Sequence, residues 1–142
     1  MEIKILKNYK IKKNLKMNIC RLKKTFWNYP LISHSNWFEK NLVKYDTHIL
    51  LLNKKDLVGY NLLRKRKFYI LKNKKVQKEY LYFDTLIIRK DFRKKNLSKK
   101  IVNKSIGISN KTNLPIILIC KKKHVNYYKK FNFRLLKKKN IK

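Results

Sequence analysis

Chemistry is best supported between Asp84 and Ser98. Asp84-Thr85-Leu86-Ile87-Ile88 leads into the basic loop Arg89-Lys90-Asp91-Phe92-Arg93-Lys94-Lys95-Asn96, and the loop into Leu97-Ser98. A strand that passes through a basic loop directly into a helix start presents unpaired backbone N–H groups and the positive end of the helix dipole. Together these form a phosphate site. Arg93, Lys94 and Lys95 would add side-chain charge to it. The plainer alternative is a solvated lysine-rich loop, of which this chain has several. Cysteine and histidine offer less. Cys20 and Cys120 stand 100 positions apart with no C-x-x-C pair, so a cysteine-based zinc site is not expected, nor any other metal. Cys120 with His124 could pair a nucleophile with a base, but no orienting third group or oxyanion site accompanies them. Structural roles are expected for Cys120, His34 and His48.

These residues need elements to hold them. Ile3–Leu6 alternates like a short strand, and Leu15–Phe26 carries apolar residues at 15, 17, 19, 22 and 26, close to helical spacing. Asn28-Tyr29-Pro30 breaks that helix. Ser35 or Asn36 can cap a second helix running to about Val43, with Glu39 reaching back as in a capping box. Thr47–Leu52 and Leu57–Leu63 form a hairpin about Asn53-Lys54-Lys55-Asp56, with Gly59 inside the second strand. Arg64–Lys67 is expected to be exposed, Phe68–Leu71 to extend that strand, and Asn73–Lys78 to be a loop. Glu79–Arg89 is the clearest strand. A helix over about Leu97–Ile108, a buried strand Leu114–Cys120, a helix His124–Phe131 and a last strand Phe133–Leu136 complete the chain. The order β-α-α-β-β-β-α-β-α-β predicts one α/β domain over residues 1–142. Its first half is antiparallel, its second half is paired in parallel through a right-handed crossover, and 137–142 is a lysine-rich tail.

The chain has 142 residues, with 40 Lys plus Arg against 7 Asp plus Glu and a formal charge of +33. It has no alanine and only 2 Gly and 2 Pro. Its abundant residues (Lys, Asn, Ile, Tyr, Phe) have AT-rich codons. Six of the basic residues are arginine, leaving 34 lysines. Selection for nucleic-acid contacts would favour arginine, whose planar fork suits phosphate and guanine. Much of the charge therefore reads as genome composition at solvated positions, although it must still attract polyanions unspecifically. Hydrophobic residues at 44% and aromatic residues at 13% exclude a disordered basic tail. With no run of about 18 apolar residues and no apolar leader, a soluble cytoplasmic protein without a membrane partner is expected.

Two motifs resemble those of the GNAT superfamily of acyl-CoA N-acyltransferases. Arg93-Lys94-Lys95-Asn96-Leu97-Ser98 is similar to the family's Arg/Gln-x-x-Gly-x-Gly/Ala after a strand, with Asn96 and Ser98 in the small-residue positions. Tyr127-Tyr128-Lys129-Lys130-Phe131-Asn132-Phe133 resembles its aromatic-Tyr-x-Lys-x-Gly-Phe helix end, with Asn132 for glycine. Asp56-Leu57-Val58-Gly59-Tyr60 resembles its second and third strands. Order and separation agree, and the resemblance spans roughly Ile3 to Leu136.

The resemblance implies a mixed, mostly antiparallel central sheet with a splay between strands Asp84–Arg89 and Leu114–Cys120, in which acetyl-CoA lies. Its pantetheine pairs with backbone near Ile87 and Ile88. Its pyrophosphate rests on the amides from Arg93 to Lys99, that is Arg93, Lys94, Lys95, Asn96, Leu97, Ser98 and Lys99. Tyr128 matches the tyrosine that protonates the departing thiolate. Asp84, expected on one strand face with Leu86 and Ile88, is the candidate to relay a proton through water, and Glu79 is the other nearby acid. The implied activity is N-acetyl transfer from acetyl-CoA to a primary amine. The alternatives are a basic nucleic-acid- or ribosome-associated binding protein, suggested by charge interleaved with aromatics, and a GNAT-fold protein that no longer catalyses.

Overall fold

The computed structural model describes residues 1–70 and 73–136. Five strands form one sheet in the order β1-β2-β3-β4-β5. They are β1 (Glu2–Lys7), β2 (Thr47–Asn53), β3 (Asp56–Ile70), β4 (Asn73–Ile88) and β5 (Ile116–Leu118), with helices α1 (Lys13–Phe26), α2 (Leu31–Asn41), α3 (Leu97–Thr112) and α4 (Val125–Lys129). The first four strands pair antiparallel, and β5 joins β4 in parallel. The helices cover both faces. Ile19, Cys20 and Leu22 of α1 and Phe38 of α2 pack on Leu50, Tyr60, Leu62 and Ile87. On the other face Leu97, Ile101 and Val102 of α3 pack on Ile49, Leu51, Val58, Leu63, Leu81 and Phe83. The strands thus bury both faces, which explains why Thr47–Leu52 reads as a continuous apolar run rather than an alternating one.

Several elements differ from the sequence expectation. Helix α2 begins at Leu31, directly after Pro30, instead of at a Ser35 or Asn36 cap. Proline's fixed φ suits a helix entry, where no N–H is needed. Glu39 pairs with Lys16 of α1 instead of reaching back along its own helix. His34 lies inside α2, where its Nε2 makes a 2.9 Å hydrogen bond with the Trp27 carbonyl and ties the two helices together. Residues expected in a loop, Asn73–Lys78, belong to β4, and Arg64–Lys67 belong to β3. Backbone pairing and cross-strand contacts such as Phe68–Tyr80 (5.7 Å between rings) carry this long hairpin although apolar and polar residue types do not alternate along Arg64–Lys67 or Asn73–Lys78.

Strand β5 covers only Ile116–Leu118, since Pro115 cannot donate to a ladder and a tight turn begins at Lys122. Phe133–Leu136 forms no strand among the described residues. Asn132 turns the chain at φ 68°, Phe133 folds back to 5.8 Å from Tyr128, and Leu135 and Leu136 are exposed. A three-residue β5 gives little ladder for a further strand. The lysine tail 137–142 and the expected strand end at Leu71 lie outside the described residues.

Candidate active site

The sheet opens where β5 leaves β4. Pairing runs Leu81↔Ile116, Tyr82↔Ile117 and Phe83↔Leu118 and stops there, while β4 continues beside β3 to Ile88. At that point β4 carries a bulge. Asn61 faces Leu86 and Leu63 faces Phe83, so Asp84 and Thr85 together oppose Leu62, with Thr85 at φ 60°. Asn61, fully buried in the middle of β3, donates through Nδ2 to the Thr85 carbonyl at 2.8 Å and holds the bulge in place.

The bulge resets the alternation of β4. Phe83, Leu86 and Ile88 pack with the α3 face, whereas Asp84 points to the α1/α2 side. Asp84 therefore does not share a face with Leu86 and Ile88, because the extra residue at the bulge intervenes. Its carboxylate accepts from Arg64 Nη1 at 3.1 Å. Beyond the bulge, Arg89 N–H donates to the Val58 carbonyl at 2.8 Å. Antiparallel parity then turns the backbone groups of Ile87 toward β3 and those of Leu86 and Ile88 toward the open edge. Of the two residues expected to meet a pantetheine, Ile88 turns its backbone groups to the open edge and Ile87 does not; Arg93 Nε donates to the Ile88 carbonyl at 2.9 Å.

The basic loop ends in left-handed backbone at Lys94 (φ 65°) and Asn96 (φ 57°), and α3 starts at Leu97. Asparagine tolerates this region best after glycine, so Asn96 and, at φ 68°, Asn132 supply left-handed backbone without a glycine. Asn96 makes no side-chain cap, and no acidic residue occupies the first turn. The leading amides of α3 therefore have no side-chain partner among the described residues. Ser98 Oγ and Tyr127 Oη are 2.6 Å apart, which joins this turn to α4. The loop side chains are partly engaged: Arg93 lies over Phe26 and Lys95 over Phe92.

Tyr128 stands on the α3 side, edge-on to Phe83 at 5.9 Å between ring centres. Burial pushes its hydroxyl up to about 12, with Tyr127 adding to the shift, so the phenol keeps its proton throughout the working range. Tyr128 and Asp84 thus approach the end of the β4/β5 pairing from opposite faces. Glu79 sits further back on β4 and pairs with Lys65 at 3.4 Å. Cys20 is buried on the inner face of α1, and burial raises its thiol. Cys120 and His124 share no hydrogen bond among the described residues. His48 is fully buried between Tyr60 Oη (2.6 Å) and Asn8 Oδ1 (3.0 Å). No group of three or more His, Cys, Asp or Glu suited to a metal occurs among the described residues. No helix among them is long and apolar enough to cross a membrane.

Three neighbours of the site were not singled out from the sequence. Asn61 had a visible signal, a polar residue within an apolar strand. Arg64, read as a solvated cation, holds Asp84. Lys23 of α1 is buried and rests over Trp37.

No protein-family model and no curated relative matches the sequence. Solved structures do match along nearly the whole chain. An acetyltransferase from Trypanosoma brucei is 12% identical, with 96% of each chain covered and a TM-score of 0.70. A transcriptional regulator from Bacillus halodurans is 11% identical, covering 94% of this chain and 93% of the other at a TM-score of 0.72. A predicted acetyltransferase from Clostridium acetobutylicum, solved with acetyl-CoA, is 14% identical, covering 96% and 92% at a TM-score of 0.64. The fold is that of the GNAT N-acetyltransferases: one mixed, mostly antiparallel α/β sheet.

Proposed function

We propose that the chain is an N-acetyltransferase that moves an acetyl group from acetyl-CoA to a primary amine by direct attack. The observation that supports this best is the coincidence of three features at one strand. β4 loses its partner after Phe83, carries its bulge at the same place, and runs on into a helix start with unclaimed amides. The residues present fit the cosubstrate. Left-handed Lys94 and Asn96 expose the amides through Lys99 for a pyrophosphate, with Arg93 and Lys95 nearby. The edge groups of Ile88 and Leu86 suit an extended amide-bearing arm.

Acetyl-CoA supplies an activated acetyl thioester; everything else falls to this chain. The open edge aligns the arm, Tyr128 holds a proton for the leaving sulfur, and Asp84 accepts the amine's proton through water. The Arg64 contact fixes the carboxylate's position. The reading is tested by incubating the protein with acetyl-CoA and a panel of primary amines, scoring thiol release and acetylated product. Titration of CoA against pyrophosphate and ATP controls for unspecific attraction to a polycation. Amine-dependent thiol release with CoA binding that pyrophosphate alone does not match supports the proposal. Absence of CoA binding at about millimolar concentration, where even a weak −4 kcal/mol interaction registers, removes it.

A further inference from the structure

Lys23 has no role in the chemistry above, yet it is the most unusual cation of the fold. Its side chain projects from α1 with the residue only 7% exposed, and its ammonium lies 4.0 Å from the centre of the Trp37 ring. Among the described residues, no acceptor lies within hydrogen-bond range of that ammonium. Arg64 of β3 converges on the same indole at 5.5 Å and on Tyr82 of β4 at 6.0 Å. One carboxylate, Asp84, serves both cations, and it is already bound to Arg64 Nη1. Two further acids of this face are committed elsewhere: Asp46 to Arg66 and Glu39 to Lys16. Two cations on one aromatic ring against one carboxylate leave a positive charge in a poorly hydrated place, and such a charge calls for a counter-ion. Burial accordingly pulls the Lys23 ammonium below the usual lysine range, and Asp84 only partly restores it.

We propose that Lys23 and Arg64, seated on Trp37 beside Asp84, form an anion subsite that selects an acceptor amine carrying its own carboxylate or phosphate. The inference rests on the acyltransferase reading and names its substrate class. Asp84 directly follows Phe83, where the sheet opens, so an acceptor anchored here by its anionic group presents its amine toward the thioester end of the opening. The same arrangement disfavours polyamines and lysine-rich peptides. They bring further positive charge to a place where the adjoining carboxylate, Asp84, is already paired with Arg64.

The test titrates the protein–CoA complex with matched pairs: O-phosphoethanolamine against ethanolamine, and phenylalanine against phenethylamine. Near-physiological salt screens the diffuse attraction of the whole chain. At least one anionic member should bind about tenfold or more tightly than its partner, and the pair that responds identifies phosphate or carboxylate. Lys23→Met, which keeps the stem over Trp37, and Lys23→Gln should each abolish that difference. Equal affinities within both pairs, no binding by either anionic member, or a preference that survives both variants would overturn the subsite. If CoA itself fails to bind, the acyltransferase reading falls and the subsite with it. If CoA binds and the pairs are not discriminated, only the subsite falls.

Discussion

Asp84 and Tyr128 are held by different means. Asp84 is fixed by an ion pair with Arg64 whose side chains are 23% and 19% exposed. Tyr128 is fixed by packing against Phe83, Tyr127 and Phe133. Because burial keeps the phenol at about 12, Tyr128 should contribute no alkaline limb to a rate profile below that range. Tyr128→Phe keeps the ring contacts and removes the proton, so steady-state kinetics should show kcat lowered about a hundredfold or more. Unchanged turnover would refute the assigned role. The motif made Tyr128 legible in the sequence. The strand pattern misplaced Asp84 by one face, since alternation counted along a strand does not register an inserted bulge residue. His48 is a purely structural counterpart. Burial, with a smaller push from Lys23, lowers it to about 4 against the pull of Asp46. The native state then stays unprotonated between about pH 6.5 and pH 4 while the unfolded chain takes up a proton. Stability is full above the unfolded value and should fall by roughly 3 kcal/mol as pH drops to about 4. Urea unfolding across that window should show the slope, and His48→Gln should flatten it.

The elements that apolar patterning could specify, α1, β2 and α3, agree closely with the sequence, whereas the cap read at Ser35 or Asn36 misplaced the start of α2. The β3–β4 hairpin was only half legible, because Arg64–Lys67 and Asn73–Lys78 lack the apolar alternation that marks a strand and depend on backbone pairing. The brevity of β5 and the missing final strand follow from long-range geometry that no local pattern encodes. The two glycines separate packing from propensity. A Cβ on Gly59 would meet Ile88 Cδ1 and Leu51 Cβ at 3.0 Å, where α3 and β4 close on β3, while one on Gly107 would meet nothing within 4 Å. Gly59→Ala should therefore destabilise by roughly 1–3 kcal/mol through overpacking. Gly107→Ala, on the exposed side of α3, should stabilise by roughly 0.5–1 kcal/mol. Denaturant midpoints of the two variants check both signs.

For the whole molecule, the charge of +33 and the site make different demands. Bulk charge binds any polyanion, with an affinity that collapses as salt rises, whereas a formed diphosphate cradle binds one shape through main-chain amides. The decisive measurement is a backbone amide NMR titration with CoA at near-physiological salt. Resonance shifts confined to Lys94–Lys99 and the open edge at Leu86–Ile88, with pyrophosphate alone moving only the first group, are what the account predicts. Shifts scattered over lysines across the surface, or none at those residues, would contradict it.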